Sequence, residues 1–409
     1  MEPLEVKVDP SSVGLSESRL ARITGHFDRY VADRRLPGWL ATVSRGGDLA
    51  WVGRGGYRDR EAELPVSDDT IWRIYSMTKP FTTIAAMSLY EEGFFDLNDD
   101  VGQWVEELRE PRVFIGGTPD EPETRPANGP VTVFHLLSHT SGLTYGFQRN
   151  HHVDAIYRAN GYDFGWPHDV DLARAVHDWC TFPLLFEPGS RWNYSVSTDV
   201  LGHLIEIWTG KSLDAVVHER VIEPLGLTDT EWWCPEDKHS RLAALYVPGA
   251  DGATVFDALG RGAKRPPQLL GGGGGLVSTA RDYDRLMAML VRGGELEGTR
   301  VLSRRTLELM TVNHLPGGAD LTTCAEDSYA EVDYAGQGFG LGFSVVTDPV
   351  ANRSLLSKGT YLWGGAASTL FWVDPLEELT VAFFTQLLPT GTYPLRRDLQ
   401  QLVYGALTE

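Results

Sequence analysis

Ser76-Met77-Thr78-Lys79 sets a hydroxyl and an amine three residues apart in the chain. Residues i and i+3 share one face of a helix, so a helix starting near Ser76 brings the Lys79 amine beside the Ser76 hydroxyl. A neutral amine at that distance can take the hydroxyl proton and leave a nucleophile able to attack a carbonyl. The chain has only six lysines, at 7, 79, 211, 238, 264 and 358, and Lys79 alone has a serine three residues before it. Nucleophilic chemistry of this kind also needs a proton relay, an oxyanion hole and a pocket. Tyr194, in the segment FEPGSRWNYS, offers a phenol for the relay, and the Pro-Gly turn ahead of it predicts exposure at a cleft. Because a free phenol has a pKa of about 10, a neighbouring cation is required to favour its ionised form. Trp363-Gly364-Gly365-Ala366 offers backbone that a substrate can approach closely. An amide there, opposite that of Ser76, makes a two-donor oxyanion hole, each donor worth about 2.7–4 kcal/mol in the transition state.

The elements that must hold these groups are legible in outline. Residues 17–33 read as an amphipathic helix with Leu20, Ile23, Phe27 and Tyr30 on one stripe. Strand-like runs at 38–45 and 48–53 flank Gly46-Gly47, a hairpin signal. Ile84, Met87, Leu89 and Tyr90 continue a helix from Ser76 up to Gly93, with Pro80 in its first turn, where a missing amide costs little. Helical patterns follow at 132–138, 170–180, 198–209 and 212–222, whereas 110–130 and 144–170 read as long excursions without regular elements. Five glycines at 271–275 precede a helix-like segment and predict a tight turn beside the active-site wall. GLGFSVV, ASTLFWVD and LTVAFFTQ read as buried strands, and 394–407 closes as a helix. One sheet built from both ends of the chain is expected, with a helical insertion between its halves. The expected units are 1–95 with 240–409, and 96–239.

A chain of 409 residues, with 42% hydrophobic and 22% charged content, has the composition of a globular protein with a large core. A net charge of −20 speaks against nucleic acid or an anionic membrane as a general partner. No apolar run approaches the ~18 residues of a membrane span, and the first residues carry no signal-like core; a cytoplasmic location is the expectation. Cys180, Cys234 and Cys324 stand alone and read as small buried hydrophobes. His135 and His139 have the i, i+4 spacing of a zinc pair but no glutamate after the first. Asp96, Asn98 and Asp100 begin like a calcium loop, but Val101 takes the obligatory glycine position. Gly271–Gly275 lacks the Gly-Lys-Ser/Thr of a phosphate loop. His151-His152 reads as a solvated loop pair. No metal and no cofactor are expected.

Several segments in order carry a resemblance: WRIYSMTKPFTTIAAMSLYEEG, then Leu97-Asn98-Asp99-Asp100-Val101, HLLSHTSGL at 135–143, EPGSRWNYS at 187–195, EPLGLTDT at 223–230, GGGGLVSTARDYDRL at 272–286 and WGGAAS at 363–368. Together they resemble the serine hydrolases of the class C β-lactamase and penicillin-binding-protein superfamily, most closely the family VIII carboxylesterases, over about residues 15–405. The resemblance implies an α/β (α+β) fold of β-lactamase/transpeptidase type, an antiparallel sheet flanked by helices beside a mostly helical part. It implies Ser76 as the acylated nucleophile, Lys79 as its base or proton shuttle and Tyr194 as the relay to the leaving group. It also places Ala366 where a backbone amide completes the oxyanion hole with Ser76.

Two departures bear on the substrate. Val196 stands where an asparagine would hydrogen-bond a β-lactam's side-chain amide, and Trp363 where a lysine would pair with a substrate carboxylate. Both remove polar recognition of penicillin-like molecules and add apolar surface. The excursion at 144–170 carries Tyr145, Phe147, Tyr157, Tyr162, Phe164 and Trp166, and by resemblance this region borders the site. Tyr145, Phe147 and Trp233, with Trp363, Gly364, Gly365 and Val196, are therefore the expected substrate-binding residues. The expected function is hydrolysis of short-chain, uncharged esters through an acyl-Ser76 intermediate, with transfer to alcohols as a side activity. A β-lactamase or D,D-peptidase is the alternative; a non-catalytic ligand-binding protein is the second, opposed by the joint presence of Ser76, Lys79 and Tyr194. Oligomeric state is not readable from the chain.

Overall fold

The computed structural model describes residues 4–164, 167, 169–326 and 329–408, apart from the side chain of Asp257. Trp166 falls outside that set. Helix α1 (Glu17–Ala32) buries Leu20, Ile23, Phe27 and Tyr30, the stripe that its spacing predicts. Burying each such side chain contributes about 1.5–3 kcal/mol. Strands β1 (Gly38–Arg45) and β2 (Asp48–Asp59) form the hairpin, and Gly46 and Gly47, both at positive φ, make its turn. A short β3 (Leu64–Pro65) follows. From the other end of the chain come β4 (Gln337–Phe339), β5 (Ser344–Val346), β6 (Tyr361–Gly364), β7 (Leu370–Asp374) and β8 (Leu379–Phe384). They join in one antiparallel sheet of order β4-β5-β6-β7-β8-β1-β2-β3, so strands from both ends of the chain meet where β8 pairs with β1.

Both faces of the central strands are covered, which is why they read as continuous apolar runs rather than alternating ones. Phe27 of α1 packs on Trp39 and Phe383 on one face. On the other, Tyr283 packs on Phe371 and Phe384; it belongs to the helix Ala280–Val291, capped by Thr279, whose hydroxyl accepts from Asp282 N. The closing helix Leu395–Tyr404 lies against α1.

Helix α2 (Lys79–Glu91) is buried along nearly its whole length and begins directly after a 3-10 turn at Tyr75–Thr78. It packs on α6 and α7, two of the five helices α3–α7 that follow. These are α3 (Val133–Leu137), α4 (His152–Ala159), α5 (Leu172–Thr181), α6 (Ser197–Thr209) and α7 (Leu213–Val217), the last continuing into a π turn at His218–Ile222.

Two expectations require correction. Residues 110–130 hold an antiparallel ribbon, Arg112–Gly117 with Pro122–Pro126, whose apolar signal is confined to the short run Val113-Phe114-Ile115. Residues 144–170 hold α4, which buries Val153, Ile156 and Tyr157. Its cap is His151, whose ring accepts from Val153 N at 3.1 Å while the Asp154 carboxylate accepts from His151 N at 2.8 Å. A histidine is an uncommon N-cap, so the helix start was masked, and His151 is a structural residue rather than a solvated one. The three cysteines are free and buried. Among the described residues no helix is long and apolar enough to cross a membrane.

Candidate active site

The Tyr75–Thr78 turn that carries Ser76 is pinned on both sides. Gln386 holds the Arg73 backbone, accepting from Arg73 N at 3.2 Å and donating to Arg73 O at 3.0 Å. Ile74 N donates to Leu276 O at 3.1 Å, and Leu276 N donates to Thr78 Oγ1 at 3.0 Å. Between these anchors Tyr75 takes φ +44°, a left-handed conformation unusual for a bulky residue. Such strain costs about 1–3 kcal/mol and persists where the surroundings over-determine it. The bend presents Ser76 at 9% exposure, while Lys79, one turn on, is fully buried.

Lys79 does not hydrogen-bond Ser76. Its Nζ donates to Tyr194 Oη at 2.6 Å, Gly273 O at 2.7 Å and Tyr145 Oη at 3.1 Å, and Tyr194 Oη contacts Ser76 Oγ at 2.6 Å. The phenol therefore stands between serine and lysine, where the sequence reading had set the two side by side. Tyr194 is 1% exposed rather than open to a cleft. It is walled in by Trp192, stacked at 6.3 Å, and by His139, Tyr145 and Trp363, each edge-on at 5.1–5.3 Å.

The glycine run is explained by close approach. A Cβ on Gly273 would lie 2.7 Å from Asp199 Oδ2 and 2.9 Å from Tyr145 Oη. Gly273 N donates to Asp199 Oδ1 at 2.8 Å, and Tyr145 Oη lies 3.5 Å from Asp199 Oδ2. The expected tight turn thus supplies a carbonyl to Lys79 and an amide to Asp199. Gly365 is likewise required, because a Cβ there would strike Ile74 O and Thr369 Oγ1. That approach lays Ala366 beside the turn that carries Ser76. Among the described residues neither the Ser76 nor the Ala366 backbone N–H has an acceptor, so both are free to donate.

Burial dominates the electrostatics. It pulls the Lys79 ammonium down to about 8, against the opposing pull of Asp199 and Glu331. Burial lifts the Asp199 carboxyl to about 6, with Lys79 opposing. Tyr194 is pushed well above the usual phenol range, by burial and by the Glu331 charge. His139 is held neutral by burial and by Lys79.

The remaining expected residues fall in three places. Tyr145 and Phe147 stack at 4.6 Å, and Phe147 meets Phe164 and Tyr329 edge-on at 5.7 and 6.0 Å, forming an aromatic wall. Phe164 reaches across to Tyr75 at 6.3 Å. Opposite, Ala366 clusters with Leu245, Leu388, Phe256 and Leu259. Trp363 and Val196 are fully buried, Trp363 under Tyr194 and Val196 at the start of α6, so neither offers the open apolar surface expected. Trp232, not Trp233, packs on the glycine turn, its Nε1 donating to Gly271 O at 3.3 Å. Gly364 lies against Arg396 and the Glu331 side chain. His135 and His139 are engaged by Thr132 N and Ser195 Oγ, both at 3.1 Å.

Asp199 and Glu331 were missed. Asp199 carried a faint signal, an acid in the first turn of a largely buried helix and five residues after Tyr194. Glu331 sits in a segment with no periodicity and carried none.

The helix-covered antiparallel sheet is the β-lactamase/transpeptidase-like fold of serine hydrolases, and beside it a serine, a lysine and a tyrosine meet. The chain belongs to the Beta-lactamase family, whose sequence profile matches residues 23–405. It is 36% identical to Protein Rv1367c of Mycobacterium tuberculosis over 365 residues, 88% of each chain. It is 32% identical to Esterase EstB of Burkholderia gladioli over 418 residues, covering 97% of this chain and 98% of the relative. The solved structure of EstCE1, a hydrolase with promiscuous acyltransferase activity, superposes with a TM-score of 0.81 at 26% identity, covering 95% of this chain and 99% of that one.

Proposed function

We propose that this protein is a serine carboxylesterase that cleaves short-chain, uncharged esters through an acyl-Ser76 intermediate and passes some acyl groups to alcohols. One observation carries the reading: the buried relay Ser76 Oγ–Tyr194 Oη–Lys79 Nζ, both links 2.6 Å long. With Lys79 protonated, its three N–H groups fill three acceptors and Tyr194 donates to Ser76. Loss of one Lys79 proton reverses both hydrogen bonds. Ser76 then donates to the phenol and the phenol to the amine, which readies the serine for attack.

As Ser76 Oγ bonds to the ester carbon, its proton moves to Tyr194 Oη and the phenol's own proton to Lys79 Nζ. The carbonyl oxygen becomes an oxyanion held by the Ser76 and Ala366 N–H groups. Collapse breaks the bond to the leaving alkoxide, which takes the proton back through Tyr194. The enzyme is left acylated, with Lys79 neutral again. Water then yields the acid; an alcohol yields a new ester. Support for small, neutral acyl groups comes from the aromatic wall of Tyr145, Phe147 and Phe164 and from the apolar cluster around Ala366. Val196 and Trp363, in place of polar lactam-recognising residues, weigh against a β-lactamase or peptidase. The names of EstB and EstCE1 point the same way.

The test is initial rates on p-nitrophenyl acetate, butyrate and octanoate beside a chromogenic cephalosporin, for wild type and Ser76→Ala. Serine-dependent hydrolysis strongest on acetate or butyrate is expected. Fast cephalosporin opening with poor ester turnover overturns the reading.

A further inference from the structure

Glu331 is held against both walls of the site by residues that the relay does not use. Its segment is tied to Tyr194 through Gln148, whose Oε1 accepts from Tyr329 N at 2.7 Å and whose Nε2 donates to Tyr329 O and Tyr194 O, each at 3.1 Å. On the other side Arg396 Nη2 donates to Glu331 O at 2.7 Å and Nη1 to Trp363 O at 3.4 Å. The Glu331 Cβ stands over Gly364, 3.6 Å from where a Cβ on that glycine would lie. The side chain is 4% exposed. Its Oε2 is buried with no hydrogen-bond partner, and burial raises the carboxyl above its ordinary value, opposed by Lys79, the Tyr329 hydroxyl, Arg396 and the Ser76 hydroxyl. Lys79 and Arg396 are the cations that act on it.

Leaving a buried polar oxygen unpaired costs about 1–3 kcal/mol, and more when it is charged. A site that holds such an oxygen beside the nucleophile has a place for a hydrogen-bond donor that arrives during turnover. The acylation sequence leaves that role open. It returns the Ser76 proton to the leaving alkoxide, and an acceptor alcohol retraces that path through Tyr194 and Lys79, but it assigns no acceptor for the proton of an attacking water.

We propose that Glu331 is the general base of hydrolytic deacylation, the group that takes the proton of the attacking water. The inference rests on the esterase reading above. As the incoming oxygen bonds to the acyl carbon, its O–H breaks and the proton passes to the Glu331 carboxylate. The tetrahedral oxyanion sits in the same two-amide hole. On collapse the C–Oγ bond breaks and Glu331 returns the proton to Ser76 Oγ. This restores the serine hydroxyl and releases the acid. The same negative charge repels anionic acceptors and anionic substrates.

The experiment mixes wild type, Glu331→Gln and Glu331→Asp with p-nitrophenyl butyrate in a stopped-flow spectrometer, each on its own alkaline plateau, followed by quenching and intact-mass measurement. Glu331→Gln should release about one p-nitrophenol per enzyme in a burst and then turn over ~100-fold or more slowly. A butyryl adduct should persist, and kcat/KM, which reports acylation, should change far less than kcat. Glu331→Asp keeps the charge and shortens the reach. It should recover part of kcat and reads the same step should the glutamine variant be unstable. A wild-type kcat in Glu331→Gln overturns the proposal, as does a parallel fall of kcat and kcat/KM without a burst. Ester turnover that survives Ser76→Ala would instead sink the esterase reading itself.

Discussion

Replacing Asp199 by asparagine removes one of the two negative charges that oppose the fall of the Lys79 pKa. The size of the effect follows from the bridging phenol. Tyr145 Oη lies 3.1 Å from Lys79 Nζ and 3.5 Å from Asp199 Oδ2. Ammonium and carboxylate are therefore no more than ~6–7 Å apart, and at an effective dielectric of ~20 two unit charges at that distance interact by about 2–3 kcal/mol, roughly two pK units. The neutral amine is the reactive form, so the acidic limb of kcat/KM in wild type should rise around the Lys79 value of about 8. In Asp199→Asn the limb should move toward lower pH by about one to two units, because the lost charge no longer favours the ammonium. Asparagine can still present an oxygen to Gly273 N, so the turn is preserved. The assay is kcat/KM for p-nitrophenyl butyrate from acid to alkaline pH, with thermal melts at each point. A limb that stays in place or moves to higher pH would refute a relay that ends on Lys79.

Tyr194→Phe removes both 2.6 Å links, and kcat/KM should fall by ~10²–10⁴-fold, the usual worth of a positioned proton-transfer group, read from steady-state ester hydrolysis. Gly365→Ala drives a methyl into Ile74 O and Thr369 Oγ1 and should cost about 1–3 kcal/mol of stability together with most of the activity, measured by denaturant melts and initial rates. Folded Asp199 keeps its proton to about 6, whereas the ordinary aspartate value is 3.8, so its ionisation subtracts stability as pH rises between them. Asp199→Asn should flatten that part of the Tm–pH curve. Phe147→Ala opens the aromatic wall and should shift the ratio of octanoate to acetate rates upward, with little change in Tm because the ring is only partly buried.

What the chain reveals on reading depends on how each group is held. Helix α1 and the strands at 38–45 and 379–384 are legible because burial is written directly into their residue types. Ser76, Lys79, Tyr194 and Ala366 are legible through motifs of fixed order. The ribbon at 112–126 is not, because its apolar signal is one short run, Val113-Phe114-Ile115, paired with the polar, mostly exposed PETRP. Helix α4 hides behind a histidine cap. Within the site, residue types alone could not give the order serine–tyrosine–lysine, since Tyr194 enters from a separate loop 118 residues away along the chain. The inward face of Trp363 and the placement of Asp199 and Glu331 are also set by packing between distant segments.

The central claim is that the acyl group resides on Ser76 during turnover. The direct measurement is mass spectrometry of the acid-quenched enzyme after mixing with p-nitrophenyl butyrate, with digestion to locate the adduct. A single butyryl group on the peptide that contains Ser76, absent from Ser76→Ala, is the predicted result. Turnover with the adduct on another peptide would contradict the account.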